Sequence, residues 1–126
     1  MPHSFSILGS PPVVVARLDG RVDLIFLQWV LYEAARQGHE ENVRRYMIDL
    51  RSCRLDLEDS DVYQRARFVA AELPRGGRIS ALVAEPDSSL TRFAVWLSQV
   101  ADVSVGIAAT EEQAAHWLYS EGQSTA

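Results

Sequence analysis

Apolar positions along this chain switch repeatedly between a period of two and a period near 3.6 residues, and the switches divide it into strands and helices. Residues 4–8 alternate weakly and stop at Gly9-Ser10-Pro11-Pro12, a turn cluster in which proline removes backbone donors. Val13–Leu18 resumes as a strand rich in β-branched residues, so the two segments predict a hairpin-like pair. Asp19-Gly20 breaks that strand. Asp23 is placed to cap a helix running to about Gln37, with Gly38 as the stop beyond it. Arg45–Leu50 reads as a buried strand and Arg51–Asp59 as a polar loop. Glu58-Asp59-Ser60-Asp61 then supplies a capping hydroxyl and acidic charge for a second helix, which Pro74 and Gly76-Gly77 end. Arg78–Ala84 is a strand, Glu85-Pro86-Asp87 a turn, and Ser88 or Ser89 opens a third helix with Leu90, Phe93, Leu97 and Val100 at helical spacing and Trp96 beside them. Val103–Ala109 is the last strand, and Thr110 with Gln113 forms a capping box for a helix from Glu111 to Tyr119.

Strands alternating with helices through short links predict an α/β fold: a mainly parallel five-stranded sheet with an N-terminal hairpin-like strand pair and right-handed crossovers. Within the strands, Ile79, Ala81, Val83, Val103, Val105 and Ile107 face one way, and Ser80, Ala84, Ser104, Gly106 and Ala108 the other. A sheet buried on both faces reads continuously apolar, whereas this second face is small and partly polar. The four expected helices are therefore placed mostly on one face. With 126 residues the chain is long enough for one packed core and too short for two, so a single domain is expected, ordered over about 4–120 with a flexible tail at 121–126.

Charge narrows the function classes. A net charge of −5 argues against a nucleic-acid partner, whose backbone calls for a dense basic face. All twelve basic residues are arginine. Without lysine there is no Walker-type phosphate loop, no Schiff-base chemistry and no receiver-domain phosphotransfer site. The single Cys53 has no disulfide partner, and no Cys/His set has zinc spacing, so neither metal nor cofactor is expected. Leu24–Tyr32, the most apolar run, is broken by Gln28 and is far shorter than the roughly 20 residues of a membrane span. The N-terminus lacks the charged start and apolar core of a signal peptide, so a cytoplasmic location is expected.

Candidate chemistry is sparse. Cys53 with His39 or His116 would make a thiolate pair, but they sit on separate elements and nothing supplies a third group. Asp19, Asp49 and Asp56 all fall near strand ends, where three carboxylates could hold a cation; chance in an acidic chain explains them as well. No catalytic constellation emerges, and an enzyme is not expected.

The order and lengths of the segments, with Tyr46–Arg51, Glu72–Ile79 and Glu111–Leu118 as carriers, resemble the STAS domains, in particular the SpoIIAA-like group of small bacterial proteins that borders the lipid-carrying CRAL-TRIO domains. In the anti-sigma-factor antagonists of that fold, an Asp-Ser-Ser-Gly segment opens the helix after the Asp-Leu strand, and its serine is phosphorylated by a partner kinase. Asp59-Ser60-Asp61-Val62 occupies that place here and matches it at Asp59 and Ser60 alone. The resemblance implies a switch or partner-facing loop at Asp59, Ser60 and Asp61. The residues themselves read Ser60 first as a helix cap, since Glu58, Asp59 and Asp61 would repel an added phosphate.

Two functional expectations follow. The first is a non-enzymatic regulatory or interaction module of STAS-like type, docking on a protein partner or on its own copy; it draws on the first helix, where Ile25, Phe26, Leu27, Trp29, Val30 and Leu31 form a stripe wider than one core face requires. The second is a carrier of a small apolar ligand or lipid, held between helices 23–37 and 88–101, where Phe26, Trp29, Phe93 and Trp96 would form an apolar pocket or an interface.

Overall fold

A computed structural model describes residues 3–57 and 71–120. Its elements run β1 (His3–Leu8), β2 (Val13–Asp23), α1 (Leu24–Glu40), β3 (Arg45–Asp56), β4 (Gly77–Leu82), α2 (Ser88–Val100), β5 (Val103–Ala108) and α3 (Glu111–Leu118). The strands form one sheet in the order β1-β2-β3-β4-β5.

That sheet is mixed rather than mainly parallel. The turn at residues 9–12 reverses the chain, so β1 pairs antiparallel with β2, while the pairings of β2 with β3, β3 with β4 and β4 with β5 are parallel. Three helices are described rather than four: the helix expected after Ser60 falls mostly on residues 58–70, which lie outside the described residues, as does the expected tail at 121–126.

Strand alternation sorts the core into two layers. Val14, Ala16, Tyr46, Ile48, Ile79, Ala81 and Val103 face α1 and α2, where Leu27, Val30, Leu31, Phe93 and Leu97 meet them. Val13, Val15, Met47 and Leu82 point the opposite way, against Ala114 and Leu118 of α3. Two of the three described helices thus share one face, as expected of most of them, and α3 covers the other. Strands added in sequence order through right-handed crossovers keep their helices on a single side. α3 follows the last strand and makes no crossover, so it is free to fold back over the face left open. Gly106 allows the approach, because a Cβ there would lie 3.1 Å from the Trp117 ring.

Both central strands run further than the sequence suggests. β2 passes through Asp19-Gly20 by a register shift between Arg17 and Asp19, with Gly20 at φ +87°, a value glycine adopts without penalty. β3 continues through Ser52–Asp56, which pairs with Asp19–Asp23, so much of the expected loop is strand. Its period of two was present, with Cys53 and Leu55 half-buried between exposed Ser52, Arg54 and Asp56. Gly38 is not a stop either. It lies buried inside α1, where a Cβ would come within 2.9 Å of the Tyr46 hydroxyl, and the turn falls instead on Asn42 at φ 58°. The caps are local: Asp23 accepts from Phe26 N at 2.8 Å, Asp87 from Leu90 N at 2.9 Å and Thr110 from Gln113 N at 3.1 Å.

Candidate functional site

Where β4 ends and β2 and β3 run on as a pair, their α3-facing side chains converge on the start of α3. Asp49 of β3 accepts Arg51 Nε at 3.0 Å, Arg51 Nη2 at 2.9 Å, the Arg51 backbone N–H at 3.1 Å and Arg17 Nη1 at 3.0 Å. Arg17 also reaches Glu111 at 2.6 Å, with Arg51 at 3.8 Å from the same oxygen. The side-chain hydrogen bond from Arg51 leads in holding the Asp49 carboxyl below its usual range, against the opposing effect of burial. A carboxylate bound this way is a structural anion, unsuited to take up a proton as a base. The expected strand stops at Leu50, so the sequence does not place Arg51 beside Asp49 on one face, and no sequence signal joins them to Arg17 or Glu111.

The other candidates do not assemble into a reaction centre. Cys53 is half-buried, and burial, followed by Asp49 and Asp19, pushes its thiol up to about 11, so at neutral pH it is neither thiolate nor nucleophile. His39 lies in the last turn of α1 and His116 on the exposed side of α3. Of the three acids considered for a cation, Asp49 is held by two arginines and Asp56 pairs with Arg21 at 2.6 Å. No cluster of metal-ligating side chains occurs among the described residues. Asp59, Ser60 and Asp61 lie outside them.

The aromatic quartet proposed as a pocket separates into two stacked pairs. Phe26 and Trp29 stack at 5.8 Å, and Trp29 extends the group to His3 at 5.2 Å and Phe5 at 6.1 Å, both on β1. Phe93 and Trp96 stack at 5.7 Å on α2. Between α1 and α2 the gap over Ile48, Ile79 and Ala81 measures about 20 Å³, and of the four aromatics Phe93 alone lines it. A space of that size holds about one water, where a ligand pocket needs hundreds of cubic ångströms. A roomier notch of about 250 Å³ lies beside the edge of the β3 extension that does not pair with β2, walled by Arg51, Cys53, Leu55, Glu85 and Asp87. It sits at the carboxyl ends of the strands, where open α/β sheets place function.

The remaining feature is an apolar surface. Ile25, Trp29 and Tyr32, spaced along one side of α1, are 63%, 43% and 39% exposed. No helix among the described residues is long and apolar enough to cross a membrane.

Solved structures place this arrangement. The anti-sigma factor antagonist SpoIIAA in its unphosphorylated form superposes with a TM-score of 0.52 at 17% identity, over 93% of this chain and 99% of that one. The chain has the SpoIIAA-like fold of the STAS domains. An anti-sigma factor antagonist from Mycobacterium paratuberculosis shares the fold with a TM-score of 0.54 at 13% identity, covering 93% of this chain and 94% of its own. An uncharacterized protein of SpoIIAA-like fold from Shewanella loihica gives 0.53 at 13%, covering 92% and 93%. At such identities the SpoIIAA-like likeness is one of fold. No family model matches the sequence, and no curated protein matches it.

Proposed function

We propose that this chain is a non-enzymatic regulatory module that works by docking on another protein through the outer face of α1. The observation that carries this reading is the exposed stripe Ile25, Trp29 and Tyr32, continued onto β1 by the His3 and Phe5 rings. Large rigid aromatics exposed side by side favour burial against a partner, and Trp and Tyr are the residues that most often anchor interfaces. Two further observations support it. Asp49 and Cys53 are held in their unreactive forms, and the fold is shared with proteins described as anti-sigma factor antagonists. The gap of about 20 Å³ between α1 and α2 does not favour a ligand carrier.

Ser60 enters this reading without a phosphate, because Glu58, Asp59 and Asp61 beside it in sequence oppose added charge. The test is a pull-down from native extract with light scattering on the same samples. A protein retained by wild type, or a self-association, is expected to be lost in Ile25→Ser/Trp29→Ser while the variant stays folded, its melting temperature lowered only by the lost Trp29 ring contacts, and to persist equally in Ser60→Ala and Ser60→Asp. A wild-type chain that is monomeric at high concentration and retains no protein would overturn the proposal.

A further inference from the structure

The opposite, N-terminal edge of the sheet carries an arrangement that the docking surface does not use. Arg45 of β3 and Arg78 of β4 are Cα partners in the parallel ladder, so their side chains rise next to each other on the α3 face. Arg78 is 8% exposed, its guanidinium lies over the Trp117 ring at 4.3 Å from the centroid, and its Nε has no hydrogen-bond partner. Arg45 donates from Nε to the Leu118 carbonyl at 3.0 Å and lies 5.8 Å from the Tyr119 ring centroid. Ser104 of β5 is in register with Arg78 on the other side, and it is exposed. Arg44 and Arg75 add two positive charges at the same edge, joined by Arg44 Nη1 donating to the Arg75 carbonyl at 3.1 Å.

At the far end of the sheet Arg17, Arg21 and Arg51 pair with carboxylates, and Arg54 is exposed to solvent. Arg78 makes no ion pair among the described residues, although the chain has 17 acids to 12 arginines. Burial, and after it the charge of Arg45, pulls the Arg78 guanidinium below its ordinary pKa, and no acid opposes them. A buried cation beside a second cation is costly, and a buried donor without an acceptor adds to that cost. An arginine fork held flat by an indole ring is, however, already arranged to receive an oxyanion through parallel N–H groups.

We infer that the edge formed by Arg45, Arg78 and Ser104, with Trp117 as its wall, is a binding site for a phosphate group. Two adjacent guanidiniums with two more arginines behind them match a doubly charged anion better than a carboxylate, and the Ser104 hydroxyl offers a further donor. The ligand class is a small phosphorylated molecule, bound at the end of the sheet away from the β3 extension and independently of docking through α1.

Titration of the full chain with inorganic phosphate, at ionic strength held constant with chloride, tests this by NMR of the arginine Nε–H and tryptophan indole N–H signals. The Arg78 and Trp117 signals should move in a saturable way. Arg78→Gln should abolish the saturable shift of Trp117. Because that variant also loses the ring stack, Arg45→Gln serves as a second one and should weaken affinity roughly tenfold while the fold is kept. Arg21→Gln, at the other end of the sheet, should bind like wild type. Shifts that never saturate, wild-type affinity in both Arg78→Gln and Arg45→Gln, or acetate binding as tightly as phosphate would each overturn the assignment.

Discussion

Asp49 shows how one side chain can be removed from chemistry and given to stability. Arg51 and Arg17 hydrogen-bond its carboxyl and hold its pKa below the ordinary value, so the unfolded chain binds the proton more readily than the folded one. The carboxylate's contribution is complete above the unfolded value of about 3.9 and disappears as pH falls through the lower folded value. Both arginines are partly exposed, at 45% and 33%, which keeps the effect at the low end for charge-assisted bonds. Asp49→Asn is expected to cost about 1–2 kcal/mol in urea unfolding at pH 7, and the gap from wild type should narrow as pH falls below the ordinary carboxylate range. A gap that does not change with pH would show that the amide is missed for its packing and not for its charge.

At the scale of elements, α1 has two faces with different tasks. Its inner side buries Leu27, Val30, Leu31, Ala34 and Gly38 against the sheet, and its outer side leaves Ile25, Trp29 and Tyr32 to solvent. Gly38 is the tightest point of the inner side, because a Cβ would meet the Val43 carbonyl at 3.1 Å as well as the buried Tyr46 ring. Alanine is favoured over glycine in a helix by about 1 kcal/mol, but overpacking a closed core costs about 1–3 kcal/mol. Gly38→Ala is therefore expected to lower stability by roughly 1 kcal/mol, read as a fall in melting temperature. A rise would show that Tyr46 can yield and that the helix propensity prevails.

For the whole molecule, stability should be graded across the sheet. β3 is flanked by partners on both sides and covered by helices on both faces, and Tyr46, Ile48 and Leu50 are each no more than 2% exposed. β1 is an edge strand with nearly every residue exposed. Amides of Tyr46–Leu50 should exchange with solvent most slowly, near the limit set by global unfolding, and those of β1 orders of magnitude faster. Equal protection in both strands would mean that β1 is covered in solution by another chain, which would locate the docking surface on that edge.

Much of this was legible because it is local. Periodicity, the caps at Asp23 and Thr110 and the two-faced strands Gly77–Leu82 and Val103–Ala108 depend on residues a few positions apart, and those rules act before any tertiary contact forms. The SpoIIAA-like fold followed from the order of those segments. What only the tertiary structure decided depends on partners distant in sequence. Asp19-Gly20 and Arg51–Asp56 become strand because each is the other's neighbour, and Gly38 serves close packing because Tyr46 arrives beneath it. α3 lies on the second face because that face was still open when the chain returned, and there it brings Glu111 to Arg17 and Trp117 to Arg78. Sequence spacing carries no record of such meetings, since they are fixed by how strands pair and where helices are free to pack.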